Sequence, residues 1–288
     1  MPNTSAVADP WISPAQTAFQ RKDWLVVWML AKREWIRFFR QPFRVIAALG
    51  QPILFWLLFG TGMHSSFRGE TPTEDFMAFF LPGIAAMILL FTAIFTSITI
   101  IEDRREGFLQ SVLVSDAPRW TIACGKIVGG AAIAWVQALV FLSLAWITGQ
   151  WTLSESALWL VLFMGALAVA MASLGFCIAW PLDSTQEFHA VMNMVLLPMW
   201  LLSGGFFPIP ALNGDEPIGQ IGMHWVMRCN PMTYAVSGMR HLMADVQATE
   251  RYWSPSIGVC IAVTFVFTAI SIVCAILLVE RGQKGELA

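Results

Sequence analysis

Charge is scarce in this chain. Only 12% of its 288 residues are Asp, Glu, Lys or Arg, while 57% are hydrophobic; an ordinary soluble domain has roughly 25% charged residues. A water-soluble fold of this size cannot hide so much apolar surface, which excludes a soluble globular protein. The 17 basic and 19 acidic residues nearly cancel, leaving a net charge of -2, so the concentrated positive face that nucleic acid needs is absent. Cysteine is sparse too. Cys124, Cys177, Cys229, Cys260 and Cys274 form no C-x-x-C pair, and all but Cys229 lie in or beside apolar runs, so neither disulfides nor a metal site is expected. A phosphate cradle of the form G-x-x-x-x-G-K-[ST] is missing as well. The pair Gly125-Lys126 is followed by Ile127 and has Trp120 where the upstream glycine would stand, so any ATP that drives this protein is expected on another chain. The first twenty residues carry no basic segment followed by an apolar stretch, and no cleaved signal peptide is expected.

What the chain does have is long apolar runs. Crossing about 30 Å of hydrocarbon takes roughly 20 apolar residues, and six stretches meet that length: 43–63, 76–101, 122–148, 157–180, 188–207 and 256–279. No Asp, Glu, Lys or Arg stands near the middle of any of them. Arg44 and Lys126 sit near ends and are expected to snorkel to the headgroups. Basic residues set the orientation. Placing the N-terminus in the cytosol gathers Arg21, Lys22, Lys32, Arg33, Arg37, Arg40, Arg44, Arg104, Arg105, Arg119, Lys126, Arg281 and Lys284 inside, and leaves Arg68, Arg228, Arg240 and Arg251 outside. Both termini are therefore expected in the cytosol.

Residues 24–42 are neither loop nor span. Trp24, Trp28, Trp35 and Phe39 share one face at 3.6 residues per turn, and Arg33, Arg37 and Arg40 line another, which predicts an amphipathic helix lying in the headgroup layer. Pro52, Pro82 and Pro198 interrupt the first, second and fifth stretches. Each removes a backbone hydrogen bond, and such breaks either are ordinary kinks or mark a translocation path. The long external segment 208–255 is half apolar, and 231–243 predicts a short amphipathic helix tucked back into the outer leaflet. The fold class is thus all-α and integral to the membrane, with six transmembrane helices, an interfacial N-terminal helix, and a re-entrant external segment. Residues 1–23 and 280–288 are expected as cytosolic tails of a 43–279 transmembrane domain.

Candidate chemistry is thin. Ser203, in Leu202-Ser203-Gly204-Gly205, could act as the nucleophile of an intramembrane hydrolase if His224 or His241 supplied the base. His189 lies at the start of the same stretch, some 20 Å away at 1.5 Å per residue. The alternative is a helix-ending turn. The spans offer Gln51, Gln137 and Asn193 but no buried acid, so proton or sodium coupling is not expected. The amides suit helix-to-helix hydrogen bonds.

After the second stretch comes Glu102-Asp103-Arg104-Arg105-Glu106-Gly107, then Phe108-Leu109-Gln110-Ser111-Val112-Leu113-Val114. Leu109, Val112 and Leu113 fall at i, i+3 and i+4, the pattern of a short amphipathic helix beside a mixed-charge cluster. That pattern fits either a docking knob or a solvated loop.

Two separated blocks resemble a known family. Phe80-Leu81-Pro82-Gly83-Ile84, Asp103-Arg104-Arg105-Glu106-Gly107-Phe108-Leu109 and Leu113-Val114-Ser115, with Arg119 and Gly125-Lys126, look like the second-span region of ABC-2 type transporter permeases. They are most similar to the drug-resistance and nodulation-factor export branch. Leu197-Pro198, Leu202-Ser203-Gly204, Phe207-Pro208, Asn230-Pro231-Met232-Thr233-Tyr234-Ala235-Val236 and Arg240 are similar to that family's fifth-span and external-loop signature. Two departures stand out: Asp116 occupies a position where the family usually has proline, delayed here to Pro118, and the stretch between Pro208 and Asn230 is longer than typical. The resemblance implies a permease of the bacterial cytoplasmic membrane, working as a dimer and favouring a homodimer. Each copy would seat on a separate ABC-type ATPase that holds ATP and Mg. It further implies a coupling helix in Glu102–Pro118, with Glu102, Asp103, Arg104, Arg105, Glu106, Gly107, Phe108, Leu109, Leu113 and Arg119 in that role. Pro52, Pro82, Asn193, Pro198, Ser203, Asn230, Pro231 and Tyr234 would line a path or gate. The implied cargo is amphipathic, lipid-like, drug-like or a glycan. The alternatives are the intramembrane hydrolase at Ser203 and a non-transporting membrane subunit that anchors or regulates an ATPase.

Overall fold

The computed structural model describes residues 21–66, 76–115, 117–210, 212, 217–243 and 253–281. Of the expected tails 1–23 and 280–288, residues 1–20 and 282–288 lie outside the described residues, as do Arg68, Asp116, Arg251 and the insertion 213–216, while 21–23 and 280–281 belong to the first and last helices. Every regular element described is helical. In chain order they are α1 (Arg21–Phe39), α2 (Pro42–Ser66), α3 (Phe76–Thr96), α4 (Ile98–Arg105), α5 (Phe108–Leu113), α6 (Trp120–Ile147), α7 (Ala157–Ala179) and α8 (Thr185–Trp200). A five-residue π turn (Leu201–Gly205) follows, then α9 (Ile218–Cys229), α10 (Pro231–Met243) and α11 (Ile257–Arg281).

Among the described residues, six helices are long and apolar enough to cross a membrane: Pro42–Gly62, Met77–Arg105, Trp120–Ile147, Ala157–Ala179, Thr185–Gly205 and Ile257–Arg281. The second of these is α3 and α4 in series, with a tight turn at Ser97. It is the axis of the bundle, since Leu81, Ile84, Ala85, Ile88, Leu89, Ala93 and Ile94 are all buried. Helices α2, α6, α7 and α10 pack around α3. By contrast α2 and α11 carry much of the outward apolar surface, including Leu54, Leu58, Phe265 and Ile270, as expected of helices whose solvent is lipid.

Local chemistry explains the element boundaries. Ser184 accepts a 3.0 Å bond from the Glu187 amide, a capping arrangement that starts α8. Pro42 and Pro231 open α2 and α10, where a missing N–H costs nothing. Gly107 has φ 75° and lets α4 turn sharply into α5.

Helix α1 does not project freely. Its apolar stripe, Val27, Leu30, Ala31 and Phe38, is buried against α6, where small residues permit a close approach. A Cβ on Gly125 would stand 2.7 Å from Leu30 Cβ, and one on Gly129 would stand 3.2 Å from Ala31 Cα. Trp24, Trp28 and Phe39 face outward, on the side the sequence assigns to the aromatic face.

Candidate functional site

Two polar centres stand out at opposite ends of the bundle. The first is an ion cluster where α1, α4 and α6 meet. Position 34 falls in the buried stripe of α1, seven residues beyond Val27, so the helix that buries Val27, Leu30 and Phe38 must also bury the Glu34 carboxylate. It meets Lys126 of α6, whose ammonium donates to Glu34 Oε1 at 2.6 Å, to Thr99 Oγ1 at 3.1 Å, and to Asp103 Oδ2. Thr99 donates to Glu34 Oε2 at 2.9 Å. Asp103 has no exposed side-chain surface. It also receives both terminal nitrogens of Arg33 at 2.7 Å and one from Arg37 at 2.8 Å. Arg37 reaches on to Glu102 at 2.8 Å and Glu106 at 3.4 Å. The side-chain hydrogen bonds to Asp103 raise the Arg33 pKa above its ordinary value. All three ammonium protons of Lys126 have acceptors, and both oxygens of each buried carboxylate are used, which is the condition for tolerating buried charge.

This corrects two expectations. Lys126 does not snorkel, because α1 covers it and its side chain is 5% exposed. The spans also do not lack a buried acid, because Asp103 lies at the end of the Met77–Arg105 span and is fully enclosed. Arg44 likewise turns inward, donating to the Phe95 carbonyl at 2.5 Å beside the turn between α3 and α4. Glu34 and Thr99 have no role in the sequence reading, and Lys126 has none as the partner of a buried acid. A carboxylate inside an apolar helical stripe and a Gly-x-x-x-Gly run at Gly125–Gly129 were the available signals.

The candidate coupling residues divide by direction. Asp103 and Leu109 point inward and are buried. The Phe108 ring lies under the Arg33 guanidinium, 3.7 Å from centroid to Cζ. Arg104 donates to the carbonyls of Trp180 and Leu182 at 2.5 and 3.2 Å, and Arg105 to that of Asp183 at 3.2 Å; these are groups just past the end of α7, where cations are favoured. Leu113 and Arg119 are half-buried beside a groove of about 360 Å³. Glu106, Gln110, Ser111 and Val114 are left facing outward.

The second centre is the break at the end of α8. Pro198 cannot donate a helical bond, and the π turn after Trp200 has Gly204 at φ 79°, a conformation that favours glycine. The carbonyls here are met by side chains. Ser203 Oγ donates to Trp200 O at 2.5 Å, Asn230 Nδ2 to Met199 O at 2.6 Å, and Arg240 Nη2 to Gly204 O at 3.1 Å. The Thr233 hydroxyl donates to Met227 O at 2.6 Å and lies 3.3 Å from Leu202 O. Asn230 also accepts from the Met232 amide at 3.0 Å, so one side chain caps α10 and secures the break. The turn is pressed onto α3, where a Cβ on Gly83 would stand 2.7 Å from Gly205 Cα. Tyr234 Oη donates to Arg228 O at 2.9 Å.

Other predicted path residues are dispersed. Pro52 and Pro82 are buried against neighbouring helices, whereas Asn193 and Pro198 lie on the outward face of α8. Ser203 is fully buried with its proton on a carbonyl, while His224 and His241 bond the Pro210 and Pro255 carbonyls at 2.8 and 2.9 Å. Ser203 meets no histidine among the described residues, and the hydroxyl beside His241 Nε2 is that of exposed Ser254, at 3.3 Å. Gly125-Lys126 lies within α6 rather than in a phosphate-binding loop.

The family model for the ABC-2 type transporter matches residues 26–244, from within α1 to just past α10. The chain belongs to the ABC-2 type transporter family. Relatives include a putative transport permease, ycf38, of Cyanophora paradoxa, 24% identical over 75% of this chain and 73% of that protein. The probable multidrug ABC transporter permease YbhR of Escherichia coli is 25% identical over 64% of this chain and 48% of that protein. A daunorubicin resistance permease protein, DrrB1, of Streptomyces coeruleorubidus is 23% identical over 77% and 75%. The chain thus spans about half of YbhR and about three quarters of the other two. Both polar centres fall within the family-matched region.

Proposed function

We propose that this chain is the membrane-spanning subunit of an ATP-driven exporter, seated on a separate ABC-type ATPase that binds ATP and Mg. The observation that carries this reading is the ion cluster. It ties the α4–α5 turn to α1 and α6 through fully paired buried charges, so a push on the outward row Glu106, Gln110, Ser111 and Val114 would move three helices together. A loop that served topology alone would need no such brace. In this reading α5 is the cytosolic coupling helix, α1 lies at the membrane surface, and α10 re-enters the outer leaflet as part of the exit gate. Both termini then face the cytosol of a bacterial cell, and the cargo is amphipathic.

A second permease copy is the expected partner. Gln51 on α2 and Asn193 on α8 face outward with no hydrogen bond among the described residues. An amide turned to hydrocarbon is costly, and both helices pack on α3, so one seam formed by α2 and α8 would cover both. A homodimer is favoured.

The test is reconstitution of the chain with its ATPase in liposomes. ATP-dependent movement of a lipid or drug-like fluorophore is expected, and ATPase binding without any movement of such probes would favour the anchor reading. A genomic neighbour encoding an ABC ATPase supplies the partner for that experiment.

A further inference from the structure

A groove of about 600 Å³ runs along α1 beside the α4–α5 turn. Its apolar part is Met29 and Ile36, which are 63% and 50% exposed. Four cations line it, but they are not equivalent. Arg33 spends both terminal nitrogens on Asp103, and Arg37 divides its own among Asp103, Glu102 and Glu106. Lys32 and Arg40 also line the groove and are exposed, with no carboxylate partner among the described residues. Glu106, the acid at the rim, is already shared with Arg37.

Lys32, Ile36 and Arg40 are spaced i, i+4 and i+8, so they lie along one face of α1. The two cations are then about 12 Å apart along the axis, at 1.5 Å per residue. Long side chains can bend over Ile36 from both ends and meet one phosphate group. We propose that this groove binds an acidic phospholipid, with its phosphate between Lys32 and Arg40 and the start of an acyl chain against Met29 and Ile36. A zwitterionic headgroup would bring its own ammonium into a site that already has two unpaired cations, so the site should select net negative charge. Each basic side chain near an anionic lipid surface contributes about a five-fold gain, and two give a preference of roughly thirty-fold. The site requires that the chain sits in a membrane and is independent of whether it exports anything.

Native mass spectrometry of the full-length chain in detergent, titrated with phosphatidylglycerol or phosphatidylcholine of identical acyl chains, tests this. The first bound phosphatidylglycerol should be retained at roughly thirty-fold lower concentration than phosphatidylcholine. The double variant Lys32→Gln/Arg40→Gln should fall to near parity with an unchanged melting curve, while Lys32→Arg/Arg40→Lys should keep the preference. Equal retention of the two lipids by the native chain overturns the proposal. So does a preference that survives the Gln variant or is lost in the charge-conserving one. Displacement of phosphatidylglycerol by an equal concentration of inorganic phosphate would make the ligand a soluble anion instead. If the Gln variant keeps its lipid preference and loses capture of the ATPase, the groove belongs to the partner protein.

Discussion

Lys126→Met removes the cation that joins α6 to both buried carboxylates. The consequences differ for the two. Asp103 keeps Arg33 and Arg37 at 2.7 and 2.8 Å, but Glu34 is left with the Thr99 hydroxyl at 2.9 Å and with Arg33 at 3.9 Å. Removing one member of a buried ion pair costs about 3–5 kcal/mol, and the surviving partners of Asp103 put the cost here near the lower end. A loss of about 3 kcal/mol corresponds to roughly a hundred-fold change in a local opening equilibrium. Hydrogen–deuterium exchange in lipid nanodiscs reads it directly. Amides of Val27–Phe38 should exchange about a hundred times faster in the variant, with those of α7 and α11 unchanged. Replacing both charges, in Glu34→Leu/Lys126→Met, should recover most of the protection, because a buried pair exchanged for apolar groups of similar size is close to neutral. Native-like exchange of α1 in Lys126→Met, or equal acceleration in α7 and α11, would refute the view that this cluster clamps α1.

Gly129→Leu should release α1 by overpacking, since a Cβ there already meets Glu34 Cβ at 3.0 Å. A penalty of about 1–3 kcal/mol predicts five-fold or faster exchange in α1. Gly50→Leu, where a Cβ meets nothing within 4 Å, is the control and should leave α1 exchange as in the native chain. At the other end, Arg240→Met leaves the Gly204 carbonyl without its donor, a cost of about 1–3 kcal/mol. Labelling of a cysteine placed at Phe206 by an impermeant maleimide should then accelerate at least five-fold, and an unchanged rate would mean that the break does not depend on this cap. Glu106→Arg should reduce ATPase capture in a pull-down while α1 exchange stays as in the native chain; full capture would remove Glu106 from the docking surface. Asn193→Leu should lower the dimer fraction in single-molecule photobleaching by about three-fold or more, the worth of an interhelical amide bond in lipid, and an unaltered fraction would place Asn193 outside the seam.

The linear sequence determined how many helices could cross a membrane, because that depends on the length and polarity of each run separately. The break after Pro198 and the start of α10 were also legible, since a missing N–H acts on its own helix whatever lies nearby, although α2 and α3 run on through Pro52 and Pro82, where breaks were expected. The block from Asn230 to Arg240 could be read as a family signature, but its purpose could not. Asn230 and Arg240 bond carbonyls at residues 199 and 204, and a contact across some thirty positions leaves no periodic trace. The same holds for the charges. Lys126 read as a snorkelling residue because, along one helix, a cation near the end of an apolar run has a route to the headgroups. Only the packing of α1 over Gly125 and Gly129 closed that route and put Glu34 in its place. Tertiary structure decided which charges are buried, because burial is a property of what covers a side chain, and the covering carboxylate, Glu34, stands some ninety residues earlier in the chain.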